Sequence, residues 1–137
     1  MGAGSGTTRG PRDSTRSIGR ACEARVADHL RAQGLEIVAQ NVEIAGAELD
    51  LIARTVAPSE STVIFVEVRS RARGDRGSPL ETIDGRKRRQ IVRAATAWLV
   101  KEGLWERTAV RFDVIGVVGN DEAPEIQWIA GAFDADA

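Results

Sequence analysis

Glu48-Leu49-Asp50-Leu51-Ile52-Ala53, then Pro58-Ser59-Glu60-Ser61, then Val63-Ile64-Phe65-Val66-Glu67-Val68-Arg69: the reading of this stretch decides the fold. Two runs of strand length, rich in aliphatic and β-branched residues, flank a turn-prone segment. The pattern reads as a β-hairpin with a long loop. Side chains alternate faces along a strand. Phe65, Glu67 and Arg69 therefore share one face of the second run, and Ile64, Val66 and Val68 the other. Glu48, Asp50 and Ile52 share a face of the first. A symmetric loop pairs Arg54 with Val63 and Asp50 with Glu67, and directly opposed Cβ atoms lie roughly 4.5–5.5 Å apart.

Two like charges face to face weaken a hairpin, and a lone carboxylate among Leu51, Ile52, Val66 and Val68 is costly to bury. A divalent cation reverses the penalty. Hard ions such as Mg²⁺ take one or two carboxylates, with waters and phosphate oxygens completing their shell. Arg69 points a positive charge into the same space. Two carboxylates and a cation suit the cleavage of a phosphodiester. On spacing alone the alternative is a row of ion pairs, Glu48, Asp50, Glu67 and Arg69, on the wet face of an antiparallel sheet.

A chain of 137 residues with 42% hydrophobic content supports one domain with an ordinary core. Its single cysteine, Cys22, excludes an internal disulfide and fits a reducing compartment. No apolar run approaches the roughly 20 residues that span a bilayer, and the N-terminus lacks a hydrophobic secretory stretch. The expectation is a cytoplasmic protein without a membrane partner. His29, the lone histidine, has no Cys or His partner at ligand spacing, which disfavours a zinc site and a serine–histidine triad.

The net charge of −1 hides a segregation. Nine basic residues against three acids lie between Arg69 and Arg93, whereas residues 113–137 carry six acids and no Lys or Arg. A basic block that directly follows a carboxylate strand is an electrostatic footprint for a polyanion. It is equally the composition of a solvated surface.

Residues 1–16 show no periodicity and read as a disordered tail, with residues 17–137 forming the domain. Ser17 is the expected N-cap of a helix from Ile18 to about Gln33, closed by Gly34 and buried along Ile18, Cys22, Val26 and Leu30. Residues 35–44 read as a strand, with Ala45-Gly46 turning into the Asp50 strand. After Arg69 comes a loop with two glycines and a proline that carries Arg71, Arg73 and Arg76. A second helix runs from about Asp84 to Lys101. Its core stripe is Ile91, Ala94, Ala95, Trp98 and Leu99, and Arg86, Arg89, Gln90 and Arg93 form another face able to grip phosphates. Residues 108–118 form a strong strand, 119–122 a turn and 125–129 a short strand at an edge. The order is α-β-β-β-α-β-β. The helix between the third and fourth strands makes a parallel crossover, so the sheet is mixed.

Ala47-Glu48-Leu49-Asp50-Leu51-Ile52-Ala53 and Phe65-Val66-Glu67-Val68-Arg69-Ser70-Arg71 resemble the core of the YraN-like bacterial proteins. Gly19, Glu23, Asn41, Gly77, Lys87, Arg111-Phe112-Asp113-Val114 and Ala132-Phe133 also match, so the resemblance runs from about Ile18 to Phe133. That family is placed with the PD-(D/E)XK nucleases, near archaeal Holliday junction resolvases. The resemblance implies a restriction-endonuclease-like α/β fold with an αβββαβ core. It also implies that Glu23 is a helical acid completing the site. The sequence departs from the family at Ala47, where glycine stands, and at Arg69, where the superfamily has lysine. Arginine keeps the charge and holds phosphate bidentately, but it does not lose its proton.

The leading expectation is a metal-dependent, structure-selective DNA endonuclease serving DNA repair or recombination. Asp50 and Glu67 hold Mg²⁺ or Mn²⁺ with Glu23 as third ligand, and Arg69 stabilises the phosphate. Arg71, Arg73, Arg86, Lys87, Arg89, Gln90 and Arg93 hold the nucleic acid, a branched DNA. Cutting both strands of a junction requires a homodimer. The alternatives are a non-cleaving nucleic-acid-binding module of the same fold, favoured by Arg69, and a scaffold that engages a protein through the acidic C-terminal segment.

Overall fold

A computed structural model describes residues 11–57, 61–119 and 123–135. Residues 1–10 of the expected tail, 58–60 of the hairpin loop and 120–122 of the last turn lie outside the described residues. The elements are α1 (Pro11–Ala32), β1 (Glu36–Ile44), β2 (Ala47–Arg54), β3 (Thr62–Arg71), a 3₁₀ turn (Pro79–Thr82), α2 (Gly85–Lys101), β4 (Ala109–Val118) and β5 (Glu125–Phe133). This is the expected α-β-β-β-α-β-β order.

The start of the first helix differs from expectation. The first helix starts at Pro11 and takes in residues 11–16, so Ser17 lies inside it and is not its cap. Proline suits a first helical position because its φ is already helical and it has no N–H to leave unpaired. Both helices close in the same way. Gly34 and Gly103 adopt left-handed φ of +91° and +73°. The N–H groups of Leu35 and Leu104 then reach back to the carbonyls of Leu30 and Leu99, satisfying last-turn acceptors that a helix otherwise leaves open. At the start of α2, Asp84 caps by accepting the Lys87 N–H at 2.9 Å.

The five strands form one sheet in the order β1-β2-β3-β4-β5. Only β3 and β4 are parallel, joined through α2, and the other neighbours are antiparallel. β5 is an edge strand, as expected, though it runs on to Phe133. Each sheet face carries a helix. Cys22, Val26, Ala27 and Leu30 of α1 pack on Leu51, Ala53, Ile64, Val66, Ile115 and Val117. Ile91, Ala94, Ala95, Trp98 and Leu99 of α2 pack on Ile52, Val63, Phe65, Phe112 and Val114. Among the described residues, no helix is long and apolar enough to cross a membrane.

The edge of the sheet is tied down by a buried acid. Asp113 of β4 is fully buried. It accepts hydrogen bonds from Arg111 Nε (2.9 Å) and Nη2 (2.8 Å), Trp128 Nε1 (2.8 Å) and the Gly131 N–H (2.9 Å). Four donors on two oxygens leave this carboxylate saturated, which is how a buried charge is tolerated. The ladder between β4 and β5 shifts register between Phe112 and Val114, and Asp113 supplies the bonds missing there. Asp113→Ala leaves the Arg111 guanidinium and the indole N–H without their acceptor. It is expected to lower unfolding free energy by about 3 kcal/mol, read from urea denaturation. A loss below about 1 kcal/mol contradicts this role.

Candidate functional site

The β2–β3 ladder follows the expected register, with Arg54 opposite Val63, Ile52 opposite Phe65 and Leu51 opposite Val66. It stops there. Where Asp50 and Glu67 come next, the strands fork, and Asp50 Oδ2 accepts the backbone N–H of Val68 at 2.9 Å. The strict alternation of β2 breaks at the same place. Leu49 packs with Ile52 in the α2-side core, while Leu51 and Ala53 pack on the α1 side. The facing strand β1 is irregular at the same level. Asn41 stands between the pairs Gln40–Leu51 and Val42–Leu49 with a left-handed φ of +54°, a strand conformation that twists the backbone locally. Asp50 is therefore seen from both sides of the sheet.

From the α1 side comes Glu23, one turn before Val26 and Ala27 of the buried stripe. Its side chain is 12% exposed. Asn41 hydrogen-bonds to it, yet Glu23 Oε1 and Asn41 Oδ1 are buried without a partner. Arg20 lies 3.9 Å from Glu23 and 3.7 Å from Glu48. From the α2 side comes Lys87, one turn before Ile91, so the core-facing stripe of the helix aims it at the fork. Its Nζ is 3.8 Å from Glu67 Oε2, and Arg69 Nη2 is 3.6 Å from the same oxygen. Glu67 itself is 6% exposed.

These acids are unlike Asp113. Burial, reinforced by the charge of Asp50, pushes the Glu67 carboxyl up to about 8, against the pull of Lys87 and then Arg69. Burial and then Asp50 raise Glu23 to about 7, against Arg20. Burial raises Asp50 as well, although the Val68 N–H opposes it. The two carboxyls hydrogen-bond to each other, and adjacent carboxylates short of other donors do not both ionise readily. A sheet that holds one saturated acid and a cluster of undersatisfied ones separates a structural carboxylate from functional candidates.

A divalent cation fits this chemistry. Asp50 and Glu67 offer adjacent hard oxygen donors that the protein supplies with few hydrogen bonds. Among the described residues no three His, Cys, Asp or Glu side chains are gathered as a ready cage. A pair of carboxylates completed by water and phosphate oxygens is the Mg²⁺ style of site and needs no cage.

The family model of "Uncharacterised protein family UPF0102" matches residues 22–117, a span that contains Glu23, Asp50, Glu67, Arg69 and Lys87. The chain belongs to UPF0102. This is the YraN-like family that the hairpin resembles. A UPF0102 protein of Pseudomonas putida strain KT2440 is 40% identical over 117 residues, covering 85% of this chain and 91% of that one. A UPF0102 protein of Pseudomonas aeruginosa strain LESB58 is 40% identical over 126 residues, covering 90% and 98%. Among solved structures, Pyrococcus furiosus SfsA in complex with Ca²⁺ aligns at 14% identity with a TM-score of 0.31. That alignment covers 85% of this chain and 63%, under two thirds, of the other. A likeness this weak carries no inference here.

Within this UPF0102 chain the remaining predicted residues divide. Lys87 joins the carboxylates instead of the outer basic surface. Gln90 is half-buried one turn beyond it, and Arg86, Arg89 and Arg93 are exposed on α2. Arg71 is only 9% exposed. Its guanidinium lies 3.6 Å from Asp75 and donates to the Arg76 carbonyl at 2.9 Å, which fastens the loop after β3. Arg73 donates to the Ala123 carbonyl. Sequence reasoning gave no role to Asn41, whose strand position hides its left-handed backbone, nor to Arg20 beside Glu23. An open groove of about 690 Å³ lined by Arg88, Val92, Trp105 and Phe133 lies away from the carboxylates. Arg88 there already donates to the Ile83 carbonyl and covers Phe133.

The raised Glu67 carboxyl fixes the sign of a stability profile. A carboxyl raised on folding stabilises the fold below its unfolded pKa, and that contribution is lost as pH climbs to about 8. Glu67→Gln removes the charge. In chelator-treated protein it is expected to be more stable than wild type at pH 8.5 by on the order of 2 kcal/mol, with the gap shrinking towards pH 5. Urea titrations at the two pH values check this, and a gap that widens on acidification contradicts it.

Proposed function

We propose that this chain is a metal-dependent endonuclease that cleaves phosphodiester bonds in branched DNA. The carrying observation is the fork itself: two buried carboxylates short of donors, flanked by a lysine and an arginine, at the open end of the β2–β3 ladder. Asp50 and Glu67 would hold Mg²⁺ or Mn²⁺, with Glu23 reached directly or through water. A divalent ion bound there supplies an acidified water and neutralises charge developing on phosphate. Arg69 holds a phosphate oxygen and stays protonated throughout. Arg86, Arg89 and Arg93 give the DNA backbone an exposed basic face on the helix that delivers Lys87. Each phosphate contact there contributes salt-dependent, sequence-independent affinity. A four-way junction has two strands to cut, so that substrate calls for two copies. The setting is cytoplasmic DNA repair or recombination.

Labelled four-way junction, flap, single-stranded and duplex DNA, incubated with Mg²⁺ or Mn²⁺, test the reading. Cuts in a branched substrate that disappear with chelator and fall at least about a thousandfold in Glu67→Ala are the expected outcome. Equal cutting by wild type and Glu67→Ala contradicts it.

The second reading, a binding module that does not cleave, is favoured by Arg69, which closes any step needing a neutral amine on β3. It predicts junction binding that survives Glu67→Ala. Joint replacement of Arg86, Arg89 and Arg93 by alanine should reduce the slope of log affinity against log salt by about 3. An unchanged slope removes the helix face from the interface under either reading.

A further inference from the structure

Two cations crowd one oxygen in this site, and they come from different elements, β3 and α2. Arg69 stands on β3 itself, its side chain 30% exposed and its Nε buried without a hydrogen-bond partner. Lys87 comes from a separate element, in the first turn of α2. Its backbone is fixed by the Asp84 cap, and its side chain is 35% exposed. A lysine stem turns about four bonds and ends in a compact ammonium, unlike the planar guanidinium. The ammonium approaches Glu67 Oε2 only to 3.8 Å, a Coulombic contact without the geometry of a hydrogen bond.

The Lys87 charge also reaches beyond Glu67. It pulls on both Asp50 and Glu67, as Arg69 does. Lys87 is thus a counter-ion of the pair that comes from a separate element. A divalent cation entering the fork takes over that task and places two positive charges beside the ammonium. The ammonium then gains by leaving. Exposed Arg86, beside it in the chain, and Arg89, two residues on, add positive charge to the same end of α2.

We infer that Lys87 is a displaceable counter-ion, which guards the carboxylate pair when no metal is bound and transfers to a substrate phosphate once a divalent cation enters. The inference rests on the metal site proposed above. It assigns Lys87 a contact with substrate and separates its task from that of Arg69, which remains on β3.

The test reads metal affinity and metal-dependent DNA affinity in the full chain, without cleavage. Mn²⁺ is titrated calorimetrically into wild type, Lys87→Met, Lys87→Gln and Glu67→Ala. Four-way junction binding is then measured with and without Ca²⁺. Removing a positive charge next to a divalent ion should tighten Mn²⁺ binding by about tenfold or more in Lys87→Met. The same variant should lose about tenfold of the junction affinity that Ca²⁺ adds, because the phosphate loses its ammonium partner. Lys87→Gln keeps a polar head and should shift both quantities in the same two directions. A merely structural lysine would not move the two affinities oppositely. Unchanged or weaker Mn²⁺ binding in both Lys87 variants, with binding lost in Glu67→Ala, overturns this inference and leaves the metal site standing. Absence of Mn²⁺ binding by wild type overturns both.

Discussion

Two carboxylates sit where the backbone ladder between β2 and β3 ends, and the protein supplies too few donors for both. Asp50 receives one backbone N–H, from Val68, and Glu67 has a hydrogen bond with Asp50 and the loose approach of Lys87 and Arg69. Burial makes this expensive, because a carboxylate removed from water must be paired, hydrogen-bonded or protonated. The same sheet shows that the fold can satisfy a buried acid completely. Asp113 has four donors within 2.9 Å. The undersatisfied pair is therefore a local property of the fork. Such cost persists where the surrounding structure imposes it.

The rest of the architecture imposes it. Both faces of the sheet are covered, by α1 and α2, so the fork is walled on two sides by apolar packing. Each helix then sends one polar residue past its buried stripe into the fork: Glu23 adds negative charge from α1 and Lys87 adds positive charge from α2. The parallel β3–β4 crossover requires α2 to start beyond the C-terminal end of β3. Lys87, in the first turn of α2, is thereby placed at the mouth of the carboxylates.

Much of this was legible in the sequence because it depends on local rules. The symmetric hairpin gave the Arg54–Val63 register, the Asp84 cap and Gly103 bounded α2, and the crossover made the sheet mixed. What was not legible depends on contacts between elements. Asn41 reads as an ordinary strand residue until its left-handed backbone is seen beside the broken alternation of β2, where Leu49 joins the α2-side core. Lys87 belongs by charge to the outer basic surface, and only the orientation of α2 directs it inward. Arg71 looks like a phosphate contact but is buried on Asp75 and the Arg76 carbonyl. Pro11 extends α1 over residues whose composition resembles a tail. Membership of UPF0102 follows from the match over residues 22–117, and the chemistry proposed for the fork is what membership leaves open.

We propose that the fork is a divalent-cation site whose raised carboxyls give up a proton as metal enters. It is tested most directly by calorimetric titration of Mn²⁺ at pH 7 in buffers of different ionisation enthalpy, which counts the protons released on binding. With Glu67 raised to about 8 and Glu23 to about 7, one Mn²⁺ per chain should release about one proton. No binding, or binding without proton release, would contradict the claim.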